Sequence, residues 1–318
     1  MRVLHITNAY PVDSRPTYGI FIKEQIDSLK KLGVDIDVYF VNVRQKGKKE
    51  FIKSFFDLIK RVNSYDIVHC HHSYMGFLVF TKKPLVTSFL CPPGREGKTN
   101  RFLNIKKWIY RFAAYKATTC IIKDGKITNK KEIYLPNGVN MDLFYPMERR
   151  FAVNKLSLDE SKSYVLFCSG GGVDRYEKRY GLYKQVVAKL KERFANVEEL
   201  VVTNVDRADM PLYFNAASVM LLTSFYEGSP NAVKEAMACN LPVVSSNVGD
   251  VHYLLENVSH SYIVKESCPE KYFKYICKIF ESNLVSSNGR QKIYEKRIDS
   301  ESIAMRIQQI YCNIHANN

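Results

Sequence analysis

Two glutamates eight residues apart, Glu227 and Glu235, lie in the stretch SFYEGSPNAVKEAMACNLPVVSS, Ser224 to Ser246. A carboxylate accepts hydrogen bonds from paired hydroxyls. Between the two lies Gly228-Ser229-Pro230-Asn231, a turn that opens a helix. Pro230 has the fixed φ suited to a first helical position, and amides at a helix start favour an anion. A ligand with hydroxyls at both ends and phosphates in the middle, such as a nucleotide sugar, matches that layout. From spacing alone, Glu227 reads equally as a turn residue and Glu235 as a solvated helix residue. Arg175 and Lys178, in GGGVDRYEK, follow a glycine run and could neutralise a pyrophosphate. An exposed basic loop is the alternative for them. Gly19, in RPTYGIF, falls between a strand and a helix, where a backbone can approach a phosphate.

Two further clusters read differently. His69-Cys70-His71-His72 holds three imidazoles and a thiol, but strand neighbours point to opposite faces, so the four cannot converge on one ion. No metal is expected there. Asp35-Ile36-Asp37 is a D-x-D that alternation puts on one face of a strand, and it reads as structural.

The elements that must carry these residues alternate. Arg2–Thr7, Asp35–Asn42, Asp66–His69, Pro84–Phe89 and Thr118–Ile122 read as strands, with helices at Phe21–Leu32, near Lys48 and His72, and over Asn100–Lys116. The pattern restarts with strands at Tyr164–Ser169, Leu200–Thr203, Met220–Thr223 and Pro242–Ser245, and helices at Tyr180–Phe194 and Ala232–Ala238. Such alternation implies parallel sheets covered on both faces. The expectation is an α/β chain of two doubly wound domains, 1–146 and 147–318, facing each other across a cleft. Ligands are expected outside the carboxyl ends of the strands.

At 318 residues with 46% apolar and 25% charged content, the chain reads as ordinary globular protein. No apolar run approaches the roughly 18 residues of a membrane span. The start MRVLHITNAYP lacks a signal peptide's apolar core, so a cytoplasmic protein is expected. The eight cysteines are scattered, which argues against a disulfide framework or a zinc site. Charge is uneven. Residues 1–146 carry 25 Lys and Arg against 12 Asp and Glu, whereas 147–318 carry 22 against 20. A basic half suits nucleic acid, an anionic membrane or an anionic substrate. No helix-turn-helix, RNP-like or zinc-finger signature supports nucleic acid. The segments 46–60 and 100–116 are basic with helical apolar spacing, so they read either as helices packed on their own sheet or as a surface for an anionic membrane.

EGSPNAVKEAMACNLPVVSSNVGDV resembles the donor-site motif of glycosyltransferase family 4, a glutamate, seven residues and a second glutamate. ITNAYPVDSRPTYGIFIKEQIDSLKKLGVDIDVY, LPNGVNMDLFYP and GGGVDRYEKRYGLYKQVV resemble the family's N-terminal strand and loop, its domain junction and its phosphate-binding segment. The similarity is greatest to bacterial surface-polysaccharide enzymes of the teichuronic-acid type. The resemblance implies the GT-B fold, with two Rossmann-like domains and a last helix, about 299–314, crossing back to the first. It implies a retaining, metal-independent glycosyltransferase that moves a sugar from a UDP- or GDP-sugar to a glycan or lipid-linked acceptor. By the same resemblance, Glu227 meets the donor sugar and Glu235 the ribose. Gly19, Arg175, Lys178, Gly228, Ser229, Pro230 and Asn231 contribute to donor binding, and His71 serves the acceptor side. One departure stands out: the family's His-Gly pair after the fourth strand is replaced here by Ser88-Phe89-Leu90-Cys91-Pro92, so His71 or His72 stands in for it or the enzyme does without. A nucleotide-sugar epimerase of the same fold and a non-catalytic sugar-binding subunit remain the alternatives.

Overall fold

Strands buried along their whole length are what a parallel sheet with helices on both faces requires. Both halves of the chain supply them. The computed structural model describes residues 1–90, 102–282 and 286–316. In the first half β1 (Arg2–Thr7), β2 (Asp35–Phe40), β3 (Ile67–His71), β4 (Leu85–Phe89), β5 (Thr119–Ile122) and β6 (Glu132–Tyr134) pair in parallel in the order β2-β1-β3-β4-β5-β6. Helices α1 (Ile20–Lys31), α2 (Val43–Lys46), α3 (Lys49–Arg61), α4 (Ser73–Leu78) and α5 (Leu103–Lys116) connect them. The second half carries α6 (Arg149–Lys155), then β7 (Ser163–Cys168), α7 (Tyr180–Arg193), β8 (Val197–Val202), α8 (Met210–Ala216) and β9 (Val219–Leu222). It continues with α9 (Asn231–Ala238), β10 (Val243–Ser246), α10 (Val251–Leu255), β11 (Tyr262–Val264), α11 (Pro269–Phe280) and α12 (Gly289–Glu295). Its parallel sheet runs β11-β10-β9-β7-β8.

The strand orders place the functional loops. Counted from each unit's first strand, the first sheet runs 2-1-3-4-5-6 and the second 2-1-3-4-5, and in that order the topological switch point falls between strands 1 and 3. In the first sheet the loops after β1 and β3 flank it; Gly19 lies in the first, and His71 at the end of β3 with His72 just beyond it leads into the second. In the second the loops after β7 and β9 flank it, and these hold Arg175, Lys178 and Glu227.

Two compact units result, Met1–Gly138 with Ser300–Asn318, and Val139–Asp299. The expected boundary at 146 is corrected to 138, because residues 139–146 bond to the second unit. Val139 N donates to Ile298 O at 3.2 Å, and the Arg290 guanidinium donates to Phe144 O at 2.7 Å and Met141 O at 3.0 Å. The last helix, α13 (Ser300–Ala316), belongs to the first unit, where Gln308 Nε2 donates to Leu32 O at 3.1 Å. Strands β6 and β11 escape the sequence reading, since three residues are too few to show a period. The D-x-D is an edge-strand brace: Asp37 takes hydrogen bonds from Arg2 at 2.7 Å and Tyr65 at 2.8 Å.

Candidate functional site

The second unit assembles its site from the two loops at its switch point. β9 is wholly buried and ends at Leu222; the chain then turns through Thr223–Pro230 into α9. Pro230 is the capping residue (φ −68°) rather than a first helical one, and the helix starts at Asn231, one residue before the expected Ala232. The helix is built of good formers, Ala, Val, Lys, Glu and Met, and closes on Asn240 in the left-handed region at φ 56°. Glu227 therefore stands in the loop, and Glu235 lies on the second turn of the helix, only 5% exposed.

Each glutamate holds a cation. Lys178 Nζ is 2.6 Å from Glu227 Oε1, which also accepts from Ser224 Oγ at 2.8 Å. Arg207 Nη1 is 2.6 Å from Glu235 Oε1. Both pairs are largely shielded, with side-chain exposures of 15% and 18% in the first and 20% and 7% in the second. The Lys178 loop is tied to the Glu227 loop through backbone: Phe225 N donates to Glu177 O at 2.8 Å and Thr223 Oγ1 to Lys178 O at 2.7 Å. Tyr176 stacks on Phe225, and the Arg179 guanidinium lies over that ring at 4.3 Å. Arg175 turns away from the glutamates. It pairs with Glu177 and donates to Gly170 O at 2.9 Å.

Three residues of this site escaped the sequence reading. Gly249 has φ +55°, and a Cβ there would lie 2.1 Å from Gly228 O and 2.9 Å from Glu227 O. It lets the β10–α10 loop pack directly on the Glu227 turn, where Asp250 N donates to Gly228 O at 3.1 Å. Arg207 lies 28 residues before Glu235, in a segment whose local pattern does not point to that carboxylate. Lys234 is fully buried beside Ser229, with Nζ 2.7 Å from Ser229 Oγ. The signal for it was a lysine among Ala, Val and Met on a helix between two apolar strands.

Burial pushes the Lys234 ammonium down to about 8 from its ordinary 10.5, although Asp250 and Glu235 pull the other way. Between pH 8 and 10.5 the unfolded chain keeps this proton and the folded chain has lost it. Raising the pH through that window therefore stabilises the fold through this group. Below pH 8 the full cost of burying the charge is present, and a depression of this size corresponds to about 3 kcal/mol. Lys234→Met should accordingly raise the melting temperature at pH 7 and remove the gain on raising the pH from 8 to 10.5. Activity should fall, because Ser229 loses its partner. Melting curves and turnover measured across that range check this.

In the first unit Gly19 caps α1 at φ +70°, where a Cβ would meet Ala9 O at 2.3 Å and Tyr10 N at 2.8 Å. Only glycine fits that crossing of the loop after β1. His71 ends β3 and is 2% exposed, packed against the rings of His5 and His69. His69 and His71 alternate onto one face as expected, but His5 joins them from β1, so that a nitrogen of each lies within 4.8 Å of the others. His72 is instead the cap of α4, at φ 89°, its Nδ1 accepting from Tyr74 N at 3.3 Å. Burial lowers all four imidazoles, His5 to about 3 and His72 to about 4. Of the stretch lacking the His-Gly pair, Cys91 and Pro92 lie outside the described residues.

Residues 157–282 match the family model described as Glycosyl transferases group 1. The second unit is a group 1 glycosyltransferase domain. The match spans β7 to the end of α11 and so contains Arg175, Lys178, Arg207, Glu227, Lys234 and Glu235. Over its length the chain is 24% identical to the UDP-Gal:alpha-D-GlcNAc-diphosphoundecaprenol alpha-1,3-galactosyltransferase of Escherichia coli, covering 86% of this chain and 81% of that one. It is 20% identical to the putative teichuronic acid biosynthesis glycosyltransferase TuaC of Bacillus subtilis, covering 84% and 86%. Among solved structures, sucrose-phosphate synthase from Thermosynechococcus elongatus superposes with a TM-score of 0.78 at 16% identity over both full chains. The Anabaena HepE complex with UDP-glucose gives 0.71 at 14% identity, covering 98% and 100%. The chain is a glycosyltransferase, with the two Rossmann-like units of the GT-B architecture.

Proposed function

We propose that this glycosyltransferase moves a sugar from a UDP- or GDP-sugar to a glycan or lipid-linked acceptor in bacterial cell-surface polysaccharide assembly. The observation that carries the reading is the pair of neutralised carboxylates on one strand–loop–helix unit, Lys178–Glu227 and Arg207–Glu235. Glu235 meets the ribose hydroxyls and Glu227 the sugar. Lys178 sits where it can pass from Glu227 to a phosphate, and Arg175 joins it when the loop turns. As the glycosidic bond breaks, charge gathers on the leaving nucleoside diphosphate, and fixed cations stabilise it without a metal. We assign retention of anomeric configuration by front-face attack, the leaving phosphate oxygen taking the acceptor's proton. The E. coli relative's name, with its UDP-galactose donor and diphosphoundecaprenol acceptor, supports both substrate classes.

Thermal stabilisation by UDP, GDP and their sugars tests the donor site. A ligand at about 100 times its Kd adds roughly 2.7 kcal/mol to the folded state. Stabilisation by one nucleotide, without added metal, is expected. A flat response at millimolar nucleotide would sink the proposal, and an epimerised sugar formed without acceptor would redirect it.

A membrane-borne acceptor fits the surface of the first unit. Among the described residues no helix is long and apolar enough to cross a membrane. Instead α3 exposes Ile52 at 64% and Phe56 at 60%, and α5 exposes Ile105 at 54% and Trp108 at 56%. Lys49, Lys53, Lys60, Lys106 and Lys107 share those helices. Phe80, packed between Phe55 and Phe112, bridges the two helices into one apolar surface. We assign this face to anionic lipid. The protein should co-sediment with phosphatidylglycerol vesicles at low salt and release as salt rises, and Trp108→Ala with Phe56→Ala should abolish binding. Equal retention on neutral vesicles would contradict the assignment.

A further inference from the structure

Five side chains of the first unit, from three strands and a helix, are joined end to end by hydrogen bonds. Ser88 Oγ on β4 lies 2.8 Å from His69 Nε2 on β3, and His69 Nδ1 lies 2.5 Å from the Tyr311 hydroxyl on α13. That hydroxyl lies 3.0 Å from His5 Nε2 on β1, and His5 Nδ1 lies 2.9 Å from His71 Nε2 at the end of β3. None of the five is more than 2% exposed. Burial disfavours every imidazolium and holds Tyr311 protonated, so all five are neutral.

Such a chain carries one proton too many. A hydroxyl and a neutral imidazole each bring one, so five groups bring five protons and their four links use four. Run from Ser88 to His71, the chain leaves the spare proton on His71 Nδ1 and free lone pairs on Ser88 Oγ. Run from His71 to Ser88, it leaves the spare proton on Ser88 Oγ and a bare lone pair on His71 Nδ1. In both directions one end is an unmet donor and the other an unmet acceptor. Neither Ser88 Oγ nor His71 Nδ1 has a further partner among the described residues. A shielded donor left without an acceptor is costly. The sheet brings the two ends together. His71 and Ser88 are register partners in the β3–β4 pair, and His72 N donates to Ser88 O at 2.8 Å just beyond. Neighbouring strands lie about 4.8 Å apart, a gap that one oxygen spans with two hydrogen bonds of about 2.8 Å.

We propose that His71 Nδ1 and Ser88 Oγ form a site for one hydroxyl, taken by water in the free enzyme and by a hydroxyl of the acceptor sugar in the complex. A hydroxyl gives one proton and accepts another. In the first direction it accepts from His71 and donates to Ser88. In the second it accepts from Ser88 and donates to His71. Either way six groups close a ring in which every donor has an acceptor, so the site does not depend on the direction of the chain. An ether oxygen has no proton to give and leaves the ring open. An ammonium only donates and leaves the spare proton unmet. The hydroxyl held here keeps its proton within the ring, so it positions the sugar and is not the one that attacks. Use by an acceptor rests on the reading of the first unit as the acceptor side, but the hydroxyl site does not.

Crystals of the full-length protein, grown without nucleotide or polyol, test the site. One water oxygen should lie within about 3.2 Å of both His71 Nδ1 and Ser88 Oγ. No oxygen there, or one that reaches only one of the two groups, overturns the proposal. Nitrogen–proton correlation spectra of the protein, labelled with 15N at its seven histidines, read the ring in solution. At pH 7 His5, His69 and His71 should be neutral and share one tautomer, or one ratio of the two tautomers if the ring exchanges, because an unbroken chain allows nothing else. Histidines of differing tautomer, or an imidazolium, overturn it. Crystals soaked in molar glycerol separate the two sources of the hydroxyl. A glycerol hydroxyl in place of the water supports a site that a sugar can enter, and a water that stays overturns the acceptor role and leaves a structural water. None of these measurements needs nucleotide, so their failure is separable from a failed donor-binding assay.

Discussion

Gly249→Ala should destabilise the protein by about 2–5 kcal/mol and lower kcat/KM by about 100-fold. Two costs combine. The backbone at φ +55° belongs to the left-handed region, where a side chain costs roughly 1–2 kcal/mol. The new Cβ would also stand 2.1 Å from Gly228 O, a backbone atom that cannot rotate aside. Forcing such an atom into a packed site costs about 1–3 kcal/mol more. Relief requires the Gly228 turn to move, and Glu227 moves with it. A displacement of about 1 Å in a positioned group can cost about 100-fold in rate. Gly33→Ala is the control, since Gly33 has φ +81° with nothing within 4 Å of its Cβ position and should show the backbone cost alone. Differential scanning calorimetry and sugar-transfer assays on both variants check this. Equal effects at the two glycines would mean that packing of the β10–α10 loop on the Glu227 turn is unimportant.

Glu235→Ala should abolish nucleotide-induced stabilisation, raising the nucleotide Kd by about 10²–10⁴-fold. A hydrogen bond to a charged group contributes about 1.5–3 kcal/mol, and two ribose hydroxyls on one carboxylate account for that range. The substitution also removes the shielded 2.6 Å ion pair between Glu235 and Arg207, whose guanidinium lies over the Phe144 ring at 4.6 Å. The unliganded variant should therefore melt earlier than wild type. The informative quantity is each protein's shift on adding nucleotide, measured from its own unliganded melting temperature. Glu235→Gln keeps the shape and one acceptor, and its loss should be smaller. Full nucleotide stabilisation in Glu235→Ala would remove this residue from the donor site.

The local features of the site were legible because each rests on neighbours in sequence. Strand alternation, the glycine run and the Gly-Ser-Pro turn fixed the positions of Glu227 and Glu235 on a strand–loop–helix unit to within a residue. The missed strands β6 and β11 are too short to carry a period. The boundary expected at 146 followed Pro146, a local breaker, whereas the division at 138 follows hydrogen bonds to Arg290 and Ile298, far away in the chain.

What the sequence by itself determined about this protein is its class, its two parallel sheets and the residue types at the donor loop. Those depend on period and propensity, which act over a few residues. Only the tertiary structure decided which charges meet. Lys178 reaches Glu227 across 49 residues, and Arg207 reaches Glu235 across 28. It also decided that Arg175 turns to Glu177, that Lys234 is buried, and that the cluster His69–His72 splits. His71 faces inward to His5, and His72 is spent on capping α4. The physical reason is strand order. β1 lies beside β3 in one sheet and β7 beside β9 in the other, so residues far apart in sequence are brought within a hydrogen bond at each switch point. Tyr311, 242 residues from His69, completes the buried chain only because α13 packs back onto the first sheet.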